Sequence, residues 1–444
     1  MARQKSIGVR ERLTTLIPPA HVRALAEEVG LVKRRRKVDP VALLWSLTLG
    51  FALGKERTIA GLRRAYEKAT KTTLVPSAFY DRFTPVLVRF LVRVLQFVID
   101  RVAEPASAAR EYLAAFKDVV AIDATVIRLH ELLARSYPGC RTNHTKAALK
   151  LHVVMSAQGG GPRTVKITDE RKHDGRVLKV GKWVAQKLLT FDLGYFRYQL
   201  FDCIERNKGF FLTRLKTSAN PLITAAHRAW RGASVPIVGQ RLQDVLGRLQ
   251  RKVIDVEIEA RFSRRTYAGK RSGATGRFRL VGVFNAEAGR YHLYVTNLPA
   301  DRFPAEAVAA IYRARWAVEM LFKSLKSDFA LEDLPSSRKH IVEALVYATV
   351  ITWVVSHAVR GLLAAHVGAE ARRLTTLRWS RLLRACADDI LAIVVAPPRH
   401  GRRLAAHVEM VLLAEALDPH RNRSTLMEDA DHGRQPCRPR RQAA

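Results

Sequence analysis

The sequence predicts an α/β protein with a helical N-terminal domain, a β-rich insertion and a helical C-terminal region. Short apolar runs alternate with a helical stretch between residues 117 and 215, which is the pattern of an α/β sheet. Apolar and charged residues then alternate strictly over residues 254–262, which is the period of a half-buried strand. Helical spacing returns at Pro304 and continues to about Lys326, and a second, apolar helix follows from Ile341.

The first 115 residues are predicted to be helical. Asp39-Pro40 is typical of a helix start, because proline suits the first turn of a helix, and Ile59, Leu62 and Tyr66 keep helical spacing. A run of five basic residues precedes this start: Lys33, Arg34, Arg35, Arg36 and Lys37. Short helices beside a basic cluster fit a DNA-binding head, and they fit a helical bundle with a solvated charge run equally well.

Five apolar runs predict the strands of the α/β core, at residues 119–122, 149–155, 164–167, 188–191 and 210–215. The first run leads directly into Asp123, and the fourth leads into Asp192. Functional groups collect at the carboxyl ends of strands in such sheets, so both aspartates are candidate site residues.

The β-rich insertion follows the core strands. Its strands are predicted at residues 254–262, 277–284 and 291–296, and a basic, glycine-containing loop joins the first two. The predicted domain bounds are a helical DNA-binding domain at 1–115, a core in two parts at 116–215 and 301–360, the insertion at 216–300, and a helical C-terminal region with a basic tail at 361–444.

The charge of the chain limits its partners. The 444 residues include 76 Lys and Arg against 40 Asp and Glu, which gives a formal net charge of +36. Such an excess favours a polyanionic partner, because basic side chains gain by displacing counterions from phosphates; a generically basic surface is the alternative. Hydrophobic residues make up 48% of the chain, which is typical of a folded protein.

We expect neither secretion nor a membrane span. Residues 1–13 are basic but lead into no apolar core of a signal peptide. The longest uncharged apolar runs, residues 41–54 and 344–359, are predicted as buried helices, since both are shorter than the roughly 18–20 residues that span a bilayer. Four scattered cysteines without Cys-x-x-Cys spacing indicate a reducing compartment, so we expect a cytoplasmic protein.

The candidate site consists of three carboxylates and a polar stripe on one predicted helix. Tyr312, Arg315, Glu319 and Lys326 follow one another at spacings of 3, 4 and 7, which places them on one narrow stripe of a continuous helix. An exposed helix with an Arg315–Glu319 salt bridge would explain part of this pattern. If Glu319 converges with the two strand-end aspartates, the three carboxylates repel, and a divalent cation relieves the repulsion; oxygen ligands select Mg²⁺ or Mn²⁺. Two such ions activate attacking and leaving oxygens of a phosphodiester.

These residues resemble the Tyr-Arg-Glu-Lys signature of bacterial DDE transposases of the insertion-sequence-four family, which includes the Tn-five type. Residues 121–125 (AIDAT) resemble the family's first-Asp strand, and residues 191–195 (FDLGY) resemble its second-Asp segment. Residues 294–299 (YVTNLP) resemble the strand exit before the last catalytic helix. The resemblance covers about residues 118–355.

The resemblance implies an RNase H-like catalytic core, with the β insertion between Asp192 and Glu319. It implies that Asp123, Asp192 and Glu319 are catalytic and hold two Mg²⁺ ions, with Mn²⁺ as a substitute. Tyr312, Arg315 and Lys326 would hold phosphates near the cleavage site, as guanidinium and ammonium groups do. Trp316 projects beside Tyr312, where it would stack on a displaced base or pack in the core.

The function implied is that of a DNA transposase of an insertion sequence. Its partners would be terminal inverted repeats and target DNA, bound by a homodimer, and its location would be the nucleoid of a bacterial cytoplasm. One departure concerns the insertion's tryptophan, Trp230, which lies early, whereas relatives stack a late tryptophan on a flipped base during hairpin formation. The alternatives are a catalytically silent, transposase-derived DNA-binding protein or repressor, and an RNase or repair nuclease.

Neutralising the basic cluster tests its contact with phosphate. We expect replacement of Lys33, Arg34, Arg35, Arg36 and Lys37 by glutamine to weaken DNA binding. The slope of log K against log salt should fall by about 0.9 for each lost phosphate contact, while metal-dependent chemistry survives. Titrations of DNA at several salt concentrations measure this slope. An unchanged slope would show that the cluster does not touch phosphate.

Overall fold

The structure is a computed structural model that describes residues 7–32, 38–54, 56–102, 112–140, 146–156, 161–227, 236–249, 251–265, 268–285 and 289–419. Lys33–Lys37, Trp230 and the basic tail lie outside these residues. The chain forms two compact units: unit 1 is Met1–Val98 with Ser324–Ala444, and unit 2 is Ile99–Lys323. The domain bounds proposed from the sequence stay predictions.

The elements follow one another along the chain, and 3-10 turns join several of them. The helices are α1 (Val9–Leu16), α2 (Pro19–Glu28), α3 (Pro40–Trp45), α4 (Ile59–Thr70), α5 (Pro76–Tyr80), α6 (Pro85–Val102), α7 (Asp174–Val177), α8 (Tyr198–Arg206), α9 (Leu242–Leu246), α10 (Ala305–Tyr312), α11 (Trp316–Ser327), α12 (Lys339–Val367), α13 (Thr376–Ala385), α14 (Ala387–Val395) and α15 (Pro398–Glu415). The strands are β1 (Asp118–Arg128), β2 (Ala148–Ser156), β3 (Gly161–Asp169), β4 (Lys187–Phe191), β5 (Phe210–Arg214), β6 (Leu222–Ala226), β7 (Val253–Ser263), β8 (Gly273–Asn285) and β9 (Arg290–Thr296).

Unit 1 is helical in its described residues, and N-terminal and C-terminal segments share its core. The predicted start of α3 is confirmed, because the Asp39 carboxylate accepts a hydrogen bond from the Ala42 amide at 3.1 Å. The apolar run that follows continues from α3 as a buried π-helical turn, Ser46–Phe51. The buried Glu409 carboxylate of α15 accepts the amide hydrogens of Ile7 and Val9, which ties the two ends of the chain together.

Helix α12 is the central apolar element of unit 1. Its side chains are almost all buried over residues 341–359, which confirms the prediction of a buried helix there. The segment Lys339–Arg373 is long and apolar enough to cross a membrane, and a buried core helix passes the same test. Thr352 donates a hydrogen bond from Oγ1 to the Thr48 carbonyl at 2.7 Å, which fixes α12 against the π-helical turn.

Unit 2 is built on one nine-stranded sheet of order β3-β2-β1-β4-β5-β9-β8-β7-β6. Strands β1, β4 and β5 are parallel, and the remaining neighbours pair antiparallel. The predicted α/β class is therefore confirmed, and the strands of the insertion, β6 to β9, extend the core sheet instead of forming a second one.

Both faces of this sheet are covered by helices. On one face Phe201 of α8 stacks on Phe211 of β5 with ring centroids 4.5 Å apart, and Phe278 of β8 closes the same cluster. On the other face Val308 and Ile311 of α10 pack with Phe116 and Phe303. A sheet buried on both faces holds its strand ends in fixed positions, which is what a site built on those ends requires.

Two sequence-based expectations are wrong. Strand β1 continues to Arg128, so Asp123 lies within the strand and not at its end. The helix expected from Pro304 to Lys326 is interrupted by a 3-10 turn, Arg313–Arg315, between α10 and α11. A 3-10 turn has 3.0 residues per turn instead of 3.6, so the angles expected for one continuous helix do not apply across it. Arg315 nevertheless lies over the Tyr312 ring, 5.5 Å from its centre. Helical spacing in the sequence carries no signal of this local tightening.

A buried ion pair between β7 and β8 gives a stability test. Arg279 binds Asp255 through two hydrogen bonds of 2.8 and 2.6 Å and donates to the carbonyls of Leu298 and Phe303. We expect Arg279→Met to lower the free energy of unfolding by about 3–5 kcal/mol, because the carboxylate stays buried without its partner. Urea unfolding followed by circular dichroism measures this loss.

The double variant Asp255→Leu/Arg279→Met should recover most of the lost stability, since no charge then remains buried. Arg277→Gln, at an exposed position of the same strand, is the control and should cost at most about 1 kcal/mol. Equal losses in the single and double variants would contradict the role assigned to the ion pair.

Candidate functional site

The register of two parallel strands brings Asp123 and Asp192 together. Ile122 of β1 is the partner of Phe191, the last residue of β4. Asp123 and Asp192 are the next residues on the two strands, whose backbones run about 4.8 Å apart in a sheet. Asp192 directly follows the end of β4, as the sequence predicted. Asp123 lies level with it on β1, and β1 continues past Asp123 to Arg128.

Asp123 is a largely buried carboxylate with neighbours of both signs. Its Oδ1 accepts a hydrogen bond from the Ala124 amide at 2.8 Å. Burial, followed by repulsion from Asp192, raises the pKa of Asp123 to about 7, against the smaller opposing effects of the Ala124 amide and Arg315. A carboxylate with a pKa this high is one whose charged form lacks a sufficient counter-charge.

Asp192 begins the turn after β4. Its Oδ1 accepts the Gly194 amide hydrogen at 2.9 Å, which caps the 3-10 turn Leu193–Tyr195. A Cβ at Gly194 would make tight contacts, about 3.0 Å from Asp174 Oδ2 and 3.1 Å from Asp192 Oδ1. Burial is the main cause that raises the pKa of Asp192, and the charges of Asp174 and Glu319 add to it.

Arg315 joins two of the three predicted carboxylates. It lies on the 3-10 turn before α11 and donates from Nη1 to Asp123 Oδ2 at 3.4 Å, while Nη2 binds Glu319 Oε1. The Arg315 and Asp123 side chains are 16% exposed, whereas Glu319 is 41% exposed. Burial opposes the charge on Arg315, but Tyr312, Glu319 and Asp123 raise its pKa overall. The guanidinium is thus the counter-charge of the carboxylate group.

The remaining residues of the predicted stripe occupy different surroundings. Tyr312 is buried: its hydroxyl donates to the Phe191 carbonyl at 3.4 Å, and its ring packs against Tyr294 with centroids 5.2 Å apart. Trp316 opens α11, but its side chain lies outside the described residues. Lys326 belongs to unit 1, where its Nζ lies 2.7 Å from Glu332 Oε1. A phosphate contact by Tyr312, Arg315, Trp316 or Lys326 stays a prediction.

The donor set fits a divalent cation in its chemistry. All three side chains offer oxygen ligands, and the raised pKa of Asp123 reflects a local excess of negative charge that a cation would relieve. Within the described part of the chain, however, no three His, Cys, Asp or Glu side chains are arranged to hold a metal ion. Arg315 explains the difference, because its guanidinium occupies the space between Asp123 and Glu319.

The structure adds two groups that sequence reasoning missed. Arg214, the last residue of β5, places its guanidinium carbon 5.7 Å from the centre of the Tyr312 ring. Asp174 of α7 pairs with Lys150 Nζ at 2.9 Å and lies close enough to raise the pKa of Asp192. Asp174 follows His173 in the sequence, and no spacing there marks it as a neighbour of Asp192.

Comparison with known proteins identifies relatives over most of the chain. The family described as the transposase DDE domain matches residues 114–355. The chain is 22% identical over 374 residues to the transposase for insertion sequence element IS231F of Bacillus thuringiensis subsp. israelensis, with 77% of each chain covered. It is 22% identical over 381 residues to the transposase for insertion sequence element IS231B of Bacillus thuringiensis subsp. berliner, again with 77% of each covered.

Among solved structures, a cryo-EM structure of the piggyBac transposase synaptic complex with hairpin DNA aligns with a TM-score of 0.42. Sequence identity is 10%, and the alignment covers 91% of this chain and 83% of that chain.

The raised pKa of Asp123 predicts how stability changes with pH. Between about pH 4 and pH 7 the folded protein keeps a proton on Asp123 that the unfolded chain has released, so stability falls as pH rises through this range. Asp123→Asn cannot ionise. Without divalent metal, we expect its stability relative to the parent to grow by on the order of 2–4 kcal/mol from pH 4 to pH 8.

Urea unfolding in EDTA at a series of pH values measures this difference. Asp301→Asn, which removes an exposed carboxylate from the same unit, is the control and should show no comparable growth. A stability difference between Asp123→Asn and the parent that stays constant with pH would contradict the raised pKa.

Proposed function

The chain belongs to the transposase DDE domain family, and from this membership we propose that it cleaves and transfers DNA strands at the ends of an insertion sequence. The observation that carries the proposal is the family match over residues 114–355, which includes Asp123, Asp192 and Glu319. The charge coupling among these three side chains supports it, because it is the condition in which carboxylates take up divalent cations.

We further propose that the core of unit 2 is RNase H-like and that the chain is of the insertion-sequence-four type. Strands β3, β2 and β1 are antiparallel neighbours, and β1, β4 and β5 continue the sheet in parallel. This strand order supports an RNase H-like core. The spacing of Tyr312, Arg315, Glu319 and Lys326 supports the family type.

Asp123, Asp192 and Glu319 are proposed to hold two Mg²⁺ ions, with Mn²⁺ as a substitute. Bound there, the ions would supply charge stabilisation and an activated oxygen nucleophile for phosphodiester chemistry. Before this, Arg315 must leave the space between Asp123 and Glu319, since its guanidinium bonds both carboxylates. Once released, the planar guanidinium suits a phosphate, which it binds through two parallel hydrogen bonds.

The neighbouring groups are proposed to position the site residues. The Gly194 amide donates a hydrogen bond to Asp192 Oδ1, which leaves Asp192 Oδ2 available for a ligand. Tyr312 fixes the start of the 3-10 turn by binding the carbonyl of Phe191, the residue before Asp192. Through this contact the segment that carries Arg315 and Glu319 is tied to the strand end that carries the second aspartate. Lys326 is proposed to bind a phosphate as a point charge.

The proposed reaction has two displacements at phosphorus. Water attacks a phosphodiester at the element end, the bridging 3′-oxygen leaves, and it takes up a proton to become a 3′-hydroxyl. That hydroxyl then attacks a phosphodiester of target DNA and displaces its 3′-oxygen. Since two element ends must react together, we propose a homodimer in the DNA complex. The binding partners are terminal inverted repeats and target DNA, and the location is the nucleoid of a bacterial cytoplasm.

A cleavage assay tests the proposal. Duplexes carrying the inverted repeats that flank the gene are incubated with purified protein and Mg²⁺ or Mn²⁺, and the products are mapped for 3′-hydroxyl ends. We expect Asp123→Asn and Glu319→Gln each to lower nicking by at least about 100-fold, because each removes a charged ligand without changing side-chain size. Their affinity for the same duplex, measured in EDTA, should stay close to that of the parent.

Asp301→Asn is the matched control and should nick at the parent rate. Nicking that persists unchanged in both site variants would sink the assignment of these carboxylates. Binding to the repeats with no metal-dependent nicking by the parent protein would instead favour the silent DNA-binding protein or repressor.

A further inference from the structure

The β7–β8 hairpin extends beyond the strands on either side of it. Strand β6 pairs with β7 as far as Glu259, and β9 pairs with β8 only from Arg279 onwards. In the described residues, the segments 260–263 and 273–276 therefore pair with each other alone, up to the closing pair Ser263 and Gly273. We call residues 260–278 the basic arm; its described parts are 260–265 and 268–278.

The basic arm carries positive charge without acidic residues. Its sequence contains six cations and no Asp or Glu: Arg261, Arg264, Arg265, Lys270, Arg271 and Arg277. All six are exposed. Arg264 pairs with Asp202, and Arg277 lies 3.9 Å from Glu257, but the other four form no ion pair with a carboxylate anywhere the structure is described. Mutual repulsion among the four remaining charges is therefore balanced mainly by solvent and ions.

The arm is nevertheless held against α8 just beyond its closing pair. Arg264 donates two hydrogen bonds of 3.2 Å to the Asp202 carboxylate of α8, and Gln199 donates to the Arg264 carbonyl. The inner face packs on the core: Phe278 stacks on Tyr198 with ring centroids 5.6 Å apart. The rings of Phe262 and Phe278 close over Gly276, where a Cβ would meet them at 2.8–3.0 Å. Charged side chains are thus presented by an ordered ribbon.

We propose that the basic arm is a binding surface for duplex DNA, contacting phosphates with the cations at its tip. The proposal rests on the proposed function, which makes DNA the polyanion that this chain meets. A two-stranded ribbon matches the width of the major groove, about 12 Å, so its tip can reach the phosphates on both sides. Phosphate contact fixes the position of a protein on DNA without reading its sequence.

The basic arm and the carboxylate site consist of different residues. Arg265, Lys270 and Arg271, the cations nearest the tip, belong neither to the Tyr-Arg-Glu-Lys signature nor to the carboxylate group. Their predicted effect is on affinity and on its salt dependence, whereas the effect of Asp123 or Glu319 is on cleavage. The two assignments can therefore fail independently.

The test replaces the three tip cations in the full-length protein, Arg265→Gln/Lys270→Gln/Arg271→Gln. Affinity for a fluorescein-labelled duplex of about 30 base pairs is measured by anisotropy in EDTA over a range of KCl concentrations. Three lost phosphate contacts should lower the slope of log K against log salt by about 2–3 and weaken binding at 0.1 M salt by on the order of 100-fold. The loss should be equal for a duplex with the inverted repeat and for one of random sequence.

The control removes the same charge elsewhere in unit 2, through Lys117→Gln/Lys182→Gln/Lys208→Gln at exposed positions before β1, β4 and β5. Thermal unfolding of both triple variants checks that each is folded. The proposal is overturned if the arm variant keeps the parent slope, or if the control loses as much slope as the arm variant.

Failure of the proposed function has a different signature. If the parent protein nicks no DNA while the arm variant still loses its salt slope, the arm assignment stands and the catalytic one fails. If the parent binds no duplex at all, both are overturned.

Discussion

Repulsion among buried carboxylates is the constraint on which the site in unit 2 depends. Asp123 and Asp192 come together because β1 and β4 are parallel neighbours in fixed register, and both are largely removed from water. Negative charge in such a place is costly unless a cation is near. Arg315 supplies that cation in this structure by binding Asp123 and Glu319. The negative charge of Asp123 and Glu319 is therefore partly neutralised by the Arg315 guanidinium, in the role that a bound cation would otherwise take.

The surrounding fold keeps this group of charges in place. Helices α8 and α10 cover opposite faces of the sheet, so β1 at Asp123 and the end of β4 before Asp192 are fixed by packing. On the other side of the site, the Tyr312 hydroxyl binds the Phe191 carbonyl directly before Asp192. The 3-10 turn that follows Tyr312 then directs Arg315 toward Asp123. The position of Arg315 therefore depends on Asp123 of the core sheet as well as on Tyr312 and Glu319 of its own segment.

The charged residues of unit 2 are separated into an acidic group and a basic group. A net charge of +36 describes the affinity of the whole surface for polyanions, but it says nothing of where a phosphate binds. Unit 2 combines a small, buried acidic group with an exposed ribbon whose tip carries cations alone. The proposals therefore assign chemistry at phosphorus to the first group and DNA binding to the second, which are different residues.

The sequence by itself determined the position of several strands and helices and the choice of candidate site residues. Apolar runs located β1 and β4, the alternation of residues 254–262 located β7, and the spacing of Arg315, Glu319 and Lys326 identified the segment with the third carboxylate. These features are local, because strand and helix periods follow from the pattern of neighbouring residues. The extension of β1 past Asp123, the continuation of the core sheet by the insertion, and the burial of Tyr312 had no such local signal.

Only the tertiary structure decided how those residues meet. Asp123 and Arg315 are 192 positions apart in the chain, and their contact depends on strand register, on sheet order and on a 3-10 turn within what appears in the sequence as one helix. Helical spacing predicted Tyr312, Arg315 and Glu319 on one polar stripe, whereas in the structure Tyr312 is buried and Arg315 binds two carboxylates. Periodicity specifies which face of an element is apolar, whereas the pairing of charges follows from the long-range contacts that bring separate elements together.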